Sequence, residues 1–536
     1  MRNNKLFKSI LITLLFGGIF YYITYPPLNI TNPTFWFFAL VIAIVFIAIY
    51  TMYELKIGIS DLIHRRRIKK TYKEYKLLAI IPLTLALIII INIILSPLFN
   101  SKEYYNRIKV DTTGDFSTDV KEVDFNKVPL LDRDSSLKIG DRTMGQMSEL
   151  VSQFDVSDQY TQINYNNEII RVTPLEYNGV IKWLTNRKSG IKGYITVNST
   201  TGEAKLVKLK NGLKYAPSGL FNENLYRKLQ LLYPTKNFDS VNFEIDNEGN
   251  PYWIASVVKY VGVGLRRNVV GVVILNPING KSKYYNVDAV PNWVDHVYEA
   301  DLILEQVADW GKYKKGFFNS FIGQKSVVAT TEGYNYLAQD DDIYLYTGIT
   351  SVISDESNIG FILTNMRTKE TKYYSVAGAE EFSAMESAKG QVQQMNYTST
   401  FPLLINLNSR PTYLVSLKDN AGLVKMYGFV DVVDYQKVSV TDSSKGIKKA
   451  AEAYLNEVDL ADEEKTQIIK TITITEITTA AIDGNTYYYF TDEENIRYKV
   501  SIKVDKNNLP FIKTGDTIEI EYNNESDVIN ITKIYN

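Results

Sequence analysis

Apolar positions along the chain follow three different rhythms, and each predicts a different kind of structure. In the first hundred residues they form unbroken runs: 9–25 (SILITLLFGGIFYYITY), 35–53 (FWFFALVIAIVFIAIYTMY) and 77–98 (LLAIIPLTLALIIIINIILSPL), none carrying a charge. Each run is about the length needed to cross a hydrocarbon layer of roughly 30 Å. A helix there satisfies its own backbone hydrogen bonds, so three transmembrane helices are predicted within 1–100. Pro82 and Pro97 read as a kink and a terminus of the third.

From 101 to about 129 the chain is polar and without a period, which predicts a membrane-proximal stalk. A helix is predicted over 135–154, where Leu137, Met144, Met147, Leu150, Val151 and Phe154 share a face and Ser135 or Ser136 could cap it. Beyond that the rhythm shortens towards two, and a repeat emerges. Three segments align without a gap: GYITVNSTTGEAKLVKL from Gly193, GVVILNPINGKSKYYNV from Gly271 and GFILTNMRTKETKYYSV from Gly360. Asparagine follows each glycine at the fifth position (Asn198, Asn276, Asn365) and lysine at the twelfth (Lys205, Lys283, Lys372). Gly202, Gly280 and Lys369 stand ninth. An apolar run, an asparagine-led turn and a return strand make each segment a β-hairpin. Helical stretches precede or follow, among them NENLYRKLQLLYPT, VDHVYEADLILEQVADW and AEEFSAMESAKGQVQQM. Helix followed by antiparallel sheet predicts an α+β architecture in which a helix covers one face of each sheet.

The last portion separates at about Thr441. A helix is predicted over 442–456 with Asp442 or Ser443 as its cap. Five strands follow, from TITITEITTA to VINITKIY, and their spacing suits a small closed barrel of the OB kind.

Charge supplies an orientation. The chain has 536 residues and a net charge of −1, but the first 100 carry 11 basic and 3 acidic side chains while the other 436 carry 48 and 57. Most of the basic excess lies at 54–76, between the second and third runs. The positive-inside rule puts that loop and the N-terminus in the cytoplasm and everything after about 100 outside. The same loop is suited to anionic lipid headgroups. An acidic outer portion argues against a nucleic-acid partner.

Composition excludes several chemistries. With no cysteine there are no disulfides, thiolate metal sites or cysteine nucleophile, and the only histidines are His64 and His296. His296 is predicted on an amphipathic helix beside Trp293 and Val297, with no G-x-S-x-G to accompany it. H-E-x-x-H and G-x-x-x-x-G-K-[ST] are both absent. Asp340, Asp341 and Asp342 precede a strand and read first as a solvated turn, with a weak calcium site as the alternative. No catalytic, cofactor-binding or metal-binding residue is assigned from the sequence.

The helix ending in Tyr233-Pro234, followed by strands and a T-G-like turn, resembles the PepSY-type module of exported bacterial proteins over roughly 180–440. The whole chain resembles a family of uncharacterised three-span membrane proteins of low-GC Gram-positive bacteria. The stretches ITYPPLNITNPTFW, SPLFNSKEYY, LVSQFDVSDQYTQINYNN, YPTKNFDSVNFEIDNEGNPYW and DESNIGFILTNMRTKETKYY carry that likeness. Its members bear labels such as colicin-V-production-like or cell-shape protein, which supply no mechanism. PepSY-like modules are non-catalytic and contact or restrain other proteins. The expected organisation is three membrane helices at 1–100, stalk and helix at 101–155, PepSY-like modules at 156–300, a related module at 301–440, and helix plus OB-like barrel at 441–536. The expected function is a non-catalytic plasma-membrane protein that binds envelope proteins or wall polymers; an envelope peptidase or wall hydrolase, and a transport or signalling subunit, are the alternatives.

Overall fold

The computed structural model describes residues 2–55, 80–352, 354–465, 468–482, 485–522 and 528–535. Two helices, Arg2–Thr24 and Pro33–Leu55, are long and apolar enough to cross a membrane over Lys5–Thr24 and Pro33–Tyr53. They pack as a hairpin. Phe20 stacks on Phe38 at 5.5 Å, and a Cβ on Gly17 would sit 3.3 Å from Ile42, so glycine lets the helices approach. The third run differs from its expected single span. A helix at Ile80–Leu95 breaks at Ser96 and restarts as Pro97–Tyr105 after a 51° bend. Pro97 lacks an amide hydrogen, so it suits the first turn of a new helix better than the interior of the old one. The basic loop, from Lys56 onward, lies outside the described residues.

By contacts the chain divides into two units, Met1–Gln436 and Lys437–Asn536. The first holds mixed and antiparallel sheets with helices against them. Its opening sheet contains Phe154–Val156, Thr161–Tyr165, Glu168–Tyr177, Ile191–Asn198 and Ala204–Leu213. The next is the antiparallel set Asn237–Ile245, Pro251–Val261, Arg266–Leu275 and Ser282–Asn286. Both faces of that sheet are buried. Trp253, Ala255 and Val257 join the core of the opening sheet, while Ile254 and Val258 join another with the Ala300–Tyr313 helix. This double burial explains why YWIASVV is apolar without alternation.

All three glycine-started segments are hairpins with one turn geometry. Asn198 Oδ1 accepts from the amides of Thr200 and Thr201, Asn276 Oδ1 from Ile278 and Asn279, and Asn365 Oδ1 from Arg367 and Thr368, at 2.9–3.1 Å. The ninth residue has positive φ in each case: Gly202 77°, Gly280 72°, Lys369 64°. Glycine recurs at the start for a different reason. A Cβ on Gly193, Gly271 or Gly360 would fall on the carbonyl oxygen of Val207, Tyr285 or Tyr374 in the return strand.

The Ala300–Tyr313 helix precedes the hairpin that begins at Gly360, and the Met366 carbonyl accepts the amides of Val297 and Tyr298 just ahead of it. Likewise, the Pro277 carbonyl accepts from Lys214 and Tyr215 ahead of the Leu225–Leu232 helix. The same backbone device thus ties two helices to their hairpins.

Three expectations need correction. Residues 101–129 are not a stalk: Val110–Gly114 pairs in parallel with Thr371–Tyr374, and Arg107 is buried between Glu305 at 2.7 Å and Asp309 at 2.5 Å. The helix expected over 135–154 runs Arg133–Gly145, is capped by Asp132 through the Ser135 amide, and is followed by a short turn at Ser148–Val151. Ser135 and Ser136 are buried inside it. His296 does not lie on a helix. It precedes the Ala300–Tyr313 helix, in a segment whose Asp295 and His296 amides donate to the Glu244 carboxylate of a neighbouring sheet.

In the second unit Asp442 caps the turn at Ser443–Lys445 and the helix runs Ile447–Lys465. A closed five-stranded barrel follows: Ile468–Ile482, Asn485–Asp492, Arg497–Ser501, Ile529–Tyr535 and Thr517–Tyr522 in order around it. Ile472, Phe490, Tyr498, Val500 and Ile520 fill its interior.

Candidate ligand cavity

A charged residue inside an apolar strand has to be accounted for. In Glu168–Tyr177 (EIIRVTPLEY) the run of buried side chains includes Arg171, 6 % exposed. Its cross-strand neighbour is Gln162, 1 % exposed, so the two project from the same face. That face borders a cavity of about 360 Å³, walled also by the start of the Arg133–Gly145 helix, by His296, by Tyr334 and Tyr336, and by Thr400 and Phe401.

Arg171 is unusual in lacking a partner. Its Nε is buried with no hydrogen bond, and among the described residues no carboxylate lies within ion-pair distance of its guanidinium. Both polar atoms of the Gln162 amide are likewise buried without partners. Burial pulls the Arg171 pKa down to about 10, against the favourable influence of Tyr336 and Asp132, so the group stays cationic at neutral pH. The two carboxylates on the wall are engaged elsewhere. Asp132 pairs with Lys418 and caps its helix through the Ser135 amide at 2.9 Å; Glu299 accepts from Asn242. Arg133 donates to the Asp158 carbonyl at 2.6 Å.

His296 is positioned by acids behind the wall. Glu244 accepts the amides of Asp295 at 2.9 Å and His296 at 3.1 Å, and Asp295 accepts the Asn164 amide at 2.7 Å. The imidazole Nε2 lies 2.7 Å from the Gln162 carbonyl oxygen, and the ring meets Tyr336 edge-on at 5.8 Å. Burial, reinforced for Asp295 by the Glu244 charge, pushes both acids above the usual carboxylate range. The two amides donated to Glu244 favour its charged form, whereas Asp295 accepts one amide and faces the Glu244 charge, so Asp295 is the more strongly driven toward its protonated form. The His296 ring is thus hydrogen-bonded to a backbone carbonyl, and among the described residues no hydroxyl nucleophile is bonded to it.

Two of the three aspartates, Asp340 and Asp342, make structural ion pairs. Asp342 binds the Arg367 guanidinium at 2.6–2.8 Å and the Asn365 amide at 2.8 Å, while Asp340, at positive φ, pairs with Lys121. Among the described residues no three metal-ligating side chains converge.

A second feature lies where the apolar helices meet the folded unit. The loop between the first two helices is bound: the Leu28 amide donates to the Pro234 carbonyl at 2.7 Å, and Asn32 Nδ2 to Asn237 Oδ1 at 3.1 Å. Arg227 Nε donates to the Tyr22 carbonyl at 3.0 Å and its guanidinium lies over the Tyr22 and Tyr25 rings. Asn92 of the third apolar helix exchanges two hydrogen bonds with Val263, at 2.9 and 3.0 Å. The C-terminal end of the first helix, the N-terminal end of the second and the C-terminal part of the third thus all meet one side of the unit. Exposed apolar side chains stand nearby in sequence and contact: Phe221 beside Asn222, the acceptor of the Tyr22 hydroxyl, and Phe318, Phe321 and Ile322 beyond the Tyr104–Tyr313 ring contact.

Sequence reasoning singled out His296 and the aspartates and missed Arg171 and Gln162. The readable signal for Arg171 was a lone cation in the middle of an otherwise apolar strand. No protein-family model matches the chain, and no curated protein matches it.

Proposed function

We propose that the chain is a non-catalytic, membrane-anchored envelope protein whose modules bind or scaffold other envelope proteins or wall polymers. The observation that carries this reading is the bonded junction between the ends of the apolar helices and the folded unit. The loop, held through Asn29 to the Thr235 carbonyl and through Asn32 to the Asn237 side chain, together with Asn92 of the third apolar helix bonded to the Val263 backbone, fixes the unit at the membrane instead of tethering it loosely. The lysine and arginine bias then supports an N-terminus in the cytoplasm, residues after about 100 outside the plasma membrane, and a basic loop against anionic lipid. Exposed apolar side chains beside the junction support contact with the lipid interface.

Helix-then-sheet units with one hairpin geometry support a PepSY-like character. An OB-like type for the barrel is supported by its strand order, with the first strand closing on the fourth and the third parallel to the fifth. Both module types suit binding, and the resemblance in sequence points to a Gram-positive envelope.

The test incubates the purified full chain with wall fragments and envelope-protein extract, then separates retained from released material by mass spectrometry. Saturable retention of an unaltered wall polymer or a defined envelope protein is the expected result. New cleavage products, absent with heat-treated protein, would overturn the non-catalytic reading.

A further inference from the structure

We propose that the cavity at Arg171 is a binding site for a small monocarboxylate bearing further hydroxyl or amide groups. The inference goes beyond the anchoring and scaffolding reading, because it assigns a soluble ligand to a defined place in the first unit.

Burying a guanidinium without a counter-ion is costly relative to leaving it in water, and such groups persist in proteins when something pairs with them. Arg171 is 6 % exposed, has no ion-pair partner among the described residues, and leaves its Nε without an acceptor. Arg171 itself lines the cavity, together with Gln162, Tyr336 and Asp132. A guanidinium presents a planar fork that matches a carboxylate with two parallel hydrogen bonds.

The charge of the ligand follows from the rest of the wall. Asp132 is paired with Lys418 and Glu299 accepts from Asn242, so among the described residues neither wall carboxylate neutralises Arg171. A single negative charge completes the site, whereas a dianionic phosphate would leave an excess beside two carboxylates. Beside Arg171, Gln162 offers an unmet donor and an unmet acceptor, so the ligand needs a group able to accept and donate there. A volume of about 360 Å³ lies at the small end of the range for ligand pockets, enough for a molecule the size of a sugar acid.

The experiment uses the full chain in detergent and measures thermal shift and titration calorimetry with acetate, glycolate, glucuronate, glucose and inorganic phosphate. At least one carboxylate should bind saturably in the millimolar range or tighter, with glucuronate at least tenfold tighter than glucose. In Arg171→Gln that binding should weaken at least tenfold while the melting temperature holds or rises, since the unpaired buried charge is gone. Arg171→Lys should fall between them. A purely structural arginine predicts the reverse: a lower melting temperature in Arg171→Gln and no anion effect on the wild type. Failure of all three carboxylates to bind, equal binding by Arg171→Gln, or a preference for phosphate would overturn the proposal. None of these outcomes bears on retention of wall polymer or envelope protein, so the two readings fail separately.

Discussion

Gly271→Ala should destabilise the first unit by about 3 kcal/mol, near the upper end of what overpacking ordinarily costs. The added methyl would fall on the Tyr285 carbonyl oxygen, and the Tyr284 hydroxyl lies only 2.6 Å from the same point. That hydroxyl donates to the Val270 carbonyl at 3.0 Å, so the ring cannot swing aside without losing a bond. The backbone oxygen cannot move without opening the hairpin. Gly360→Ala meets the Tyr374 carbonyl and the Tyr373 ring in the same way and should behave alike. Asn276→Ala in the same hairpin should cost only about 1 kcal/mol, because its two bonds to the turn amides are near solvent. Thermal melts of the three variants check the ranking. A wild-type melt for Gly271→Ala would show that the strands do not approach as described.

Glu244→Gln should also cost about 3 kcal/mol, although the substitution is nearly isosteric. Glu244 is fully buried and its two oxygens accept two successive amides. An amide in its place presents a donor to one of those donors, losing a charge-assisted hydrogen bond and stranding a buried N–H. Asp295→Asn should behave in the opposite sense, neutral or stabilising at pH 7.5, because the acid it replaces is already driven toward its protonated form.

The pH dependence has a definite sign. A carboxyl whose pKa is raised on folding holds more proton in the native state than in the unfolded one, between the two pKa values. Stability then falls as pH rises through that window and is greater on its acid side. Asp295→Asn should flatten this slope in melts taken from pH 5 to pH 8. An unchanged slope would mean that Asp295 does not carry the proton.

Local chemistry decided which parts of this fold could be read in the sequence. The hairpins were legible because their turns are built from residues within five positions of one another: an asparagine that bonds its own backbone and a position of positive φ. Uncharged length likewise marks the first two apolar helices. The bend at Ser96 was not legible, since proline at 97 suits an ending or a restart equally well.

Long-range pairing hid the rest. Arg107 and Val110–Gly114 look like linker until residues some 200 to 260 positions away supply Glu305, Asp309 and the Thr371–Tyr374 strand. His296 was misplaced because VDHVYEADLILEQ has one continuous helical pattern. The Glu244 carboxylate takes the amides of Asp295 and His296, and the helix begins only at Ala300. The cavity gathers Gln162 and Arg171 from one sheet, Tyr336 from another, and His296 and Thr400 from connecting segments, and only Arg171 stands out along the sequence.

Display of the folded portion outside the cell, on apolar helices long enough to cross the membrane, is the part of the proposed function open to the most direct test. The most direct measurement labels intact, wall-stripped cells with a membrane-impermeant amine reagent and maps the modified lysines by mass spectrometry. Lys188, Lys208 and Lys210 are exposed on the first unit and should be labelled in intact cells. Lys56, Lys69, Lys70, Lys73 and Lys76 of the basic loop should react only after permeabilisation. The reverse pattern, with the basic loop labelled and the folded unit protected until the membrane is opened, would contradict the account.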